Sequence, residues 1–414
     1  MSYSARDREL VMRIVGRLPV IVAGCVSLLS GFLFVDDAKA AGAGMPLGGF
    51  RFYPTLDVAA NYDDNVYRTQ VKNADLFFSE TPGFTLQSGW SRNELDLFGW
   101  LAATQYASLT AENNTNWAIG SNGRLDIYKG LDFTLDASYS VGHDQRGQPN
   151  LSQLAESPTE FSSVHTNGQL SYHPYRFSLS VGGSYDRILY DPTLLIDGLP
   201  PLNNADRNYE LYAGFVKGAY EFSPGYAGYV QINYQDQIYN LKFDSNGLER
   251  ANDGYQAEVG VQMLVTNLIK GQVYVGYYEE KYHAPLVGVA GPDYGATLDY
   301  TLSDFWTFHL IAAHSLTPTT VAGASTENDQ SVTFVVDYSV LRDVTIVGLA
   351  SYLNDTLSGT SRVDQAIQGH LGLNYVLNSH AEVDLAYSYT HYASTLEGQG
   401  YSDHTVGLTL KLQQ

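Results

Sequence analysis

Three short polar side chains near the start of the chain have the chemistry of a cation site. Asp63, Asp64 and Asn65 are consecutive, and their oxygen atoms are of the kind that binds Ca²⁺. No glutamate or further ligand follows at a fixed offset, so a solvated turn that caps a strand explains the same residues. The sequence therefore favours a turn, and we predict neither a metal site nor a cofactor.

Histidine and serine are the residue types that would be needed for hydrolysis. Ten histidines are scattered along the chain without metal-binding spacing such as H-E-x-x-H. His309 with Ser315, or His391 with Ser388, would be the pairs of an outer-membrane hydrolase. Such pairs are expected by chance on strands, so we predict no catalytic residues and no enzyme, with a hydrolase as the less favoured alternative.

A third group of polar residues alternates with apolar ones, so its members share one face of extended segments. Between residues 131 and 141 the odd positions are apolar, whereas the even positions are polar and include Asp132 and Asp136. The same period of two runs through residues 331–340, 382–390 and 405–412. A period of two predicts β-strands.

These polar faces hold more acidic than basic side chains. If the strands close into a barrel, these polar faces line its lumen. The candidate lumen residues are then Asp132, Asp136, Asp337, Glu382, Asp384, Arg124, Gln231 and Asn233. Charges in a confined pore select ions by sign, so an acidic lumen predicts a neutral or cation-preferring channel. In the alternative interpretation, the carboxylates brace the wall by pairing with Arg and Lys. Tyr229, Tyr274 and Tyr278 share the inner face and would either stack on sugars or fill space.

The links between the alternating segments are short and long in turn. Long links are expected near 66–74, 108–114, 143–160, 190–207, 240–252, 283–292, 319–328, 354–363 and 393–402, with eight short turns between them. Outer-membrane barrels have short periplasmic turns and longer external loops. The sequence therefore predicts an all-β protein, a single antiparallel up-and-down transmembrane barrel of about 18 strands (16 possible), with both termini periplasmic.

Two aspects of this barrel stay open at the level of sequence. Residues 74–90 and 93–107 alternate less cleanly, so the pattern defines the first hairpins less sharply than the later ones. A barrel of this size is wide enough for an aqueous channel, and the loops near 143–160 and 190–207 are the candidates to plug it. The apolar residues of the second loop either fold inward or pack on other loops above the rim.

The N-terminus has the features of an export signal. Residues 1–40 combine a basic start, an apolar run and the small-residue cleavage motif Ala38-Lys39-Ala40. We predict a cleaved signal peptide over 1–40, a short periplasmic segment over 41–49 and the barrel over 50–414. An uncleaved anchor, or a lipid anchor at Cys25, is the alternative. Cys25 is the only cysteine of the chain, so no disulfide framework is expected.

The overall charge narrows the possible partners. The chain has 44 acidic and 23 basic residues, a net charge of −21, which argues against nucleic-acid binding. The predicted partners are outer-membrane lipid, the barrel-assembly machinery, and polysaccharide or small polar solutes.

One stretch resembles a known family. Tyr53-Pro54 within the first strand, followed by Tyr62-Asp63-Asp64-Asn65 at its end, is similar to the opening of a β-barrel porin family that is often encoded beside exopolysaccharide biosynthesis genes. The resemblance implies a porin-like barrel in the bacterial outer membrane with a link to polysaccharide export. The chain ends in Gln413-Gln414 rather than in the aromatic residue that many such barrels carry.

We therefore predict a porin-like channel, for which the resemblance implies an accessory role in exopolysaccharide secretion. The main alternative is a closed structural or surface-interaction barrel that presents long external loops and conducts nothing. A water-soluble β-sandwich would also alternate, but its apolar face would be buried in a core.

Overall fold

The computed structural model of the protein describes residues 43–264 and 268–414. The predicted signal peptide, with Ala38, Ala40 and Cys25, lies outside the described residues, as does the predicted short link at Asn267. Strand β1 comprises Met45–Leu47 and pairs with the start of the next strand. No helix among the described residues is long and apolar enough to span a bilayer.

Eighteen antiparallel strands then follow in chain order and close into a ring. They are β2 Phe50–Asp63, β3 Asp75–Ser88, β4 Glu94–Tyr106, β5 Asn114–Tyr128, β6 Leu131–His143, β7 Glu160–Tyr172, β8 Phe177–Tyr190, β9 Tyr209–Ser223, β10 Tyr226–Tyr239, β11 Asn252–Leu264, β12 Ile269–Tyr282, β13 Val289–Ser303, β14 Trp306–Pro318, β15 Thr326–Leu341, β16 Val344–Leu357, β17 Val363–Asn378, β18 Ala381–Ser394 and β19 Tyr401–Gln413. Each pairs with its sequence neighbours, and β19 pairs with β2. The prediction of a closed barrel of about 18 strands is confirmed, and β1 lies outside the ring.

Apolar side chains cover the outside of the ring. On β10, Val230, Ile232 and Tyr234 are 56%, 57% and 54% exposed, while Tyr229 on the opposite face is 3% exposed. This is the reverse of a sandwich with a dry core, and it is the arrangement that a bilayer requires. The β-sandwich alternative is therefore wrong.

The strands run further at the long-link end than the alternation indicated. β13 begins at Val289, β15 begins at Thr326 and β16 ends at Leu357, inside segments that the sequence assigned to loops. Backbone pairing continues there with polar residues on the inner face, so the strands extend beyond the apolar band that produces the sequence pattern.

The weak alternation of the first hairpins also has a structural cause. β3 and β4 turn Phe77 and Phe98 toward the lumen as well as apolar residues toward lipid. The Phe77 ring packs against Tyr106 with ring centroids 5.0 Å apart, and a Cβ on Gly120 would lie 2.5 Å from the Phe98 ring. These apolar residues on the inner face remove the polar half of the pattern.

Two of the inner-face tyrosines, Tyr229 and Tyr274, also pack over glycines. A Cβ on Gly260 would lie 2.6 Å from the Tyr229 ring, and one on Gly295 would lie 2.4 Å from the Tyr274 ring. These rings fill the space above glycines of the neighbouring strand, so among the two interpretations the structure favours space filling.

Candidate functional site

The loop between β6 and β7, residues 144–159, crosses the lumen. Asn150 accepts hydrogen bonds from the Thr319 hydroxyl (3.0 Å) and the Thr320 amide (3.1 Å), and it donates one to Glu327 (3.3 Å). These partners belong to β15 and the segment just before it, across the ring from β6 and β7. The loop therefore narrows the long-link end of the barrel.

Two arginines, Arg146 and Arg68, hold this loop in place on the side away from β15. The Arg146 guanidinium donates to Glu112 (3.0 Å) and to the Ala155 carbonyl (2.7 Å). Arg68 donates to the Gln145 side chain (3.1 Å) and to the Arg146 carbonyl. Arg146 and Glu112 are 9% and 2% exposed, and a buried ion pair with further hydrogen bonds fixes geometry.

The second plug candidate packs on the first. In the β8–β9 link, residues 191–208, the Leu194 carbonyl accepts from the Glu156 amide (2.9 Å), and the Ile196 amide donates to the Leu154 carbonyl (3.0 Å). Leu194 remains 54% exposed. Of the two predicted alternatives, the structure shows loop-to-loop packing for this link, whereas the 144–159 loop folds inward.

A cavity lies between the inserted loop and the opposite wall. Its polar lining divides into two sides. Arg68, Arg146 and Arg207 lie on the side of the loops, and Glu327, Asp329, Asp355 and Asp364 lie on β15, β16 and β17. Five tyrosines complete the lining: Tyr190, Tyr209, Tyr239, Tyr392 and Tyr401.

The acidic side is a row of carboxylates on three adjacent strands. Asp329 lies directly opposite Asp355, and Asp355 lies directly opposite Asp364. We call Glu327, Asp329, Asp355 and Asp364 the carboxylate row. Like charges directly opposite one another destabilise a sheet, so this arrangement is costly and calls for a functional explanation.

The partners of the carboxylate row are mostly neutral. Asp364 accepts from Arg362 (3.1 Å) and from the Tyr392 hydroxyl (2.7 Å). Asp329 accepts from the Thr317 hydroxyl. Asp355 is 4% exposed, and its Oδ1 has no hydrogen-bond partner among the described residues. The row therefore places four acidic side chains on the cavity wall, with Arg362 as their one hydrogen-bonded cation among the described residues.

Sequence reasoning missed the carboxylate row because it depends on register. Asp329 and Asp355 lie at equal distances from the short turn after Leu341, and Asp355 and Asp364 lie at equal distances from the next loop. Counting outward from each turn would have aligned them. That count needs the turn position to one residue, since a shift by one moves every side chain to the other face.

Several predicted lumen residues lie on the inner face with polar neighbours. Asp132 is 8% exposed at its side chain and lies 3.5 Å from His173. Asp136 accepts from Asn167 (2.9 Å), and Gln231 donates to Asn233 (2.8 Å). The contacts of Asp132 and Asp136 link β6 to β7 and the turn after it, whereas Gln231 and Asn233 lie on one strand, β10.

The remaining predicted lumen residues are paired with cations or histidine. Lys411 lies 2.5 Å from Asp384 and 3.6 Å from Glu382. Arg124 lies directly opposite Glu94 on the neighbouring strand. At these positions the alternative interpretation, structural bracing, describes the contacts, and a role in selectivity stays a prediction.

The serine and histidine pairs considered from sequence do not meet. His309 and Ser315 lie six residues apart on one strand, about 20 Å at 3.3 Å per residue. His309 instead bridges Asp299 (2.7 Å) and Asp337 (3.1 Å), so it braces the wall beside the predicted lumen residue Asp337. Ser388 contacts His370 (3.0 Å) and not His391.

The Asp-Asp-Asn motif ends β2 in a turn. Asp63 accepts from the Asn65 amide (2.6 Å), and Asp64 accepts from the His404 amide (2.9 Å). Asp64 lies outside the strands, and burial raises its pKa, but hydrogen bonds from Lys72 and His404 outweigh burial and hold the pKa below its usual range. Tyr53, Pro54 and Tyr62 lie within β2.

Arg250 fixes two further loops at the same end of the barrel. It donates to Asp244 (2.8 Å) and to the carbonyls of Thr319 (3.0 Å) and Val321 (3.1 Å). Asp244 lies in the β10–β11 loop. Burial raises its pKa, but hydrogen bonds from the Leu248 amide and Arg250 outweigh burial and keep the pKa below its usual range.

A family model described as "Putative beta-barrel porin 2" matches residues 38–414 of the chain. No curated protein matches the sequence. Among solved structures, the outer membrane protein OpdK from Pseudomonas aeruginosa is 10% identical with a TM-score of 0.47, and the alignment covers 88% of this chain and 99% of OpdK.

Two further solved structures show a similar degree of likeness. OpdF from Pseudomonas aeruginosa, in complex with glucuronate, is 10% identical with a TM-score of 0.48 over 89% of this chain and 99% of OpdF. The siderophore receptor PirA from Acinetobacter baumannii is 8% identical with a TM-score of 0.47 over 88% of this chain and 80% of PirA.

Proposed function

Because the chain belongs to the family described as "Putative beta-barrel porin 2", we propose that its barrel is a channel for small neutral or cationic solutes, constricted by the 144–159 loop. The family and the closed 18-strand barrel indicate the bacterial outer membrane. The proposal concerns which solutes the channel passes and which part of the barrel selects them. The single observation that carries it is the inserted loop facing the carboxylate row across the cavity.

The size of the constriction supports small solutes. A barrel of 18 strands is wide enough for water, and the cross-lumen hydrogen bonds of Asn150 to Thr319 and Glu327 reduce that width at one level. An accessory role in exopolysaccharide secretion stays a prediction. It would require the loop to leave the lumen, since a sugar polymer has to thread the whole barrel at once.

The charge of the constriction supports neutral or cationic solutes. The three arginines of the cavity interact with carboxylates or carbonyls, as Arg146 does with Glu112 and Arg207 with Asp144. In the carboxylate row, the one residue paired with an arginine among the described residues is Asp364, whose partner is Arg362 (2.8 Å). A permeating cation would therefore be attracted to the row, while an anion would be repelled by it.

A closed, non-conducting barrel is the second candidate, and one observation favours it. Hydrogen bonds join the 144–159 loop to the β8–β9 link and to the segment before β15, so the long-link end is spanned from wall to wall. In that case the long loops would act as a surface for interaction.

Export and orientation complete the proposal. We expect residues 1–40 to be removed after Ala40, the barrel-assembly machinery to insert the barrel, and both termini to face the periplasm. The start of β2 and the end of β19 lie at the end of the barrel that carries the short turns, which is the periplasmic end in barrels of this kind.

Single-channel recording in planar bilayers tests the proposal. The full chain should give sustained openings with a cation-biased reversal potential in a salt gradient, and replacing residues 146–157 by a short Gly-Ser link should raise conductance. Shortening the β18–β19 link at 396–399, which lies outside the central cavity, is the control. Silence from folded protein in both forms would support the closed barrel instead.

A further inference from the structure

Carboxylates from the two ends of the chain meet where the barrel closes. Asp63 ends β2 and Asp403 lies near the start of β19, the two strands that form the seam. With Asp64 they offer three ligand atoms, one from each residue, that all lie within 4.8 Å of one another. Oxygens on opposite sides of a Ca²⁺ ion are about 4.8 Å apart, because Ca–O bonds are 2.3–2.6 Å long.

One of these carboxylates is buried with an unused oxygen. Asp403 is 4% exposed, and its Oδ1 has no hydrogen-bond partner among the residues that the structure describes. A buried carboxylate oxygen without a partner is costly. A bound cation would remove this cost, so the oxygen is an independent indication of a ligand beyond the clustering of acids.

The protein's own cations compensate the cluster only in part. Lys72 lies 2.5 Å from Asp64, but its side chain is 38% exposed, so solvent screens the pair. Arg68 lies 3.8 Å from Asp403, which is beyond hydrogen-bond distance. Three carboxylates thus face two basic side chains, neither of which reaches Oδ1 of Asp403.

We infer that Asp63, Asp64 and Asp403 form a divalent-cation site, selective for Ca²⁺, that links the first and last strands of the barrel. Asp403 supplies its unused oxygen, Asp63 and Asp64 supply one or two oxygens each, and water completes the coordination shell. Lys72 is displaced from Asp64 when the ion binds. The ion joins residues 340 positions apart, so it stabilises closure of the ring whether or not the barrel conducts.

The sequence pointed to half of this site. The Asp63-Asp64 pair was recognisable as a source of oxygen ligands, but a third ligand at a fixed offset was missing. The third ligand comes from the other end of the chain, because closure of a barrel brings its first and last strands together.

Calcium titration of the full chain, refolded in detergent and stripped with a chelator, tests the site. We expect one Ca²⁺ per barrel by calorimetry, and Tb³⁺ luminescence sensitised by Tyr401, two residues from Asp403. Asp403→Asn should weaken Ca²⁺ binding by about tenfold or more. Lys72→Gln should tighten it, since the competing ammonium is removed, and misfolding would not produce a gain.

A control variant distinguishes the loss of a Ca²⁺ ligand from the loss of any buried carboxylate. Asp186 is also 4% exposed with one partnerless oxygen on the inner wall, so Asp186→Asn should leave Ca²⁺ affinity unchanged. Calcium should also raise the unfolding midpoint of the wild type but not of Asp403→Asn. The inference is overturned if neither the wild type nor Lys72→Gln binds Ca²⁺, or if Asp403→Asn and Asp186→Asn behave alike.

Discussion

The two sides of the constriction carry opposite charges and are built differently. In the loops, buried arginines pair with carboxylates: Arg146 with Glu112, Arg207 with Asp144 (2.7 Å) and Arg250, which does not line the cavity, with Asp244. Arg68 instead donates to the Gln145 side chain and the Arg146 carbonyl. On the other side, the carboxylate row interacts chiefly with hydroxyl and amide donors, such as Thr317 for Asp329 and Asn150 for Glu327.

This difference separates structural charges from functional ones. A guanidinium with a buried carboxylate partner contributes little net field to the lumen, but it fixes the loop that it joins. A carboxylate held by neutral donors has no cation of the protein to cancel its charge, so in its ionised form it acts on a permeating ion. The arginines therefore hold the loops that shape the constriction, and the carboxylates set its preference.

The largest effect that the comparison predicts is on stability, where a buried arginine of the loops pairs with a carboxylate. Arg250 is 2% exposed, and Arg250→Met would leave Asp244 buried without its cation. We expect a loss of about 3–5 kcal/mol in the free energy of unfolding, measured by urea titration of the barrel in detergent.

Two variants check that this loss comes from the buried pair. Lys242→Met removes a basic residue of the same loop that is 68% exposed and lies 4.0 Å from Glu249, and it should change the free energy of unfolding by less than about 0.5 kcal/mol. Adding Asp244→Asn to Arg250→Met should restore part of the stability. Equal effects of Lys242→Met and Arg250→Met would contradict the comparison.

The next effect is on selectivity, at the carboxylate row. A unit charge about 10 Å from an ion, at an effective dielectric constant of about 50, is worth about 0.7 kcal/mol, or about threefold in permeability. Asp355→Asn should therefore lower the cation-to-anion permeability ratio by about threefold, with Glu327→Gln adding to it. Reversal potentials measure the ratio. The free energy of unfolding should stay the same or increase, because each replacement removes one acidic side chain from the row of like charges on β15–β17.

The parts of the structure that could be predicted are those set by local pattern. Period-two alternation in segments such as 131–141 fixed the strands and their faces, and alternating link lengths fixed their number. The inner face of β6 therefore carries Asp132 and Asp136, as the pattern predicts. The first hairpins were obscured because Phe77 and Phe98 are apolar residues on the lumen side.

The parts that could not be predicted depend on contacts distant in sequence. The carboxylate row requires the register of three strands, and the insertion of the 144–159 loop depends on Asn150 meeting Thr319, 169 residues away. The meeting of Asp403 with Asp63 requires ring closure. Alternation carries no information on which loop enters the lumen, since polar loops inside and outside have similar composition.

A smaller effect on selectivity is expected where carboxylates brace the wall. The replacements Asp132→Asn, Asp136→Asn and Asp384→Asn remove acids from the inner face, but Lys411 pairs with Asp384 and Glu382 together, and Asn167 donates to Asp136. Combined, they should lower the permeability ratio by less than about twofold. A larger change than that of Asp355→Asn would mean that selection occurs below the constriction, among the residues predicted from sequence.

The smallest effect is the pH dependence of the stability of the β10–β11 loop, which the Arg250–Asp244 pair holds. Its folded-state pKa is held below the usual range near 4, so between the folded and unfolded values the unfolded chain binds the extra proton. The contribution is therefore fully present above about pH 4 and is lost as the pH falls through the folded pKa. The rate at which a protease active in acid cuts the β10–β11 loop should stay flat from about pH 7 to 5 and rise below about pH 4. Asp244→Asn should flatten that rise, because Arg250 then keeps only its carbonyl partners at every pH. An equally steep rise in the variant would show that other carboxylates cause the acid sensitivity and that the Arg250–Asp244 pair does not.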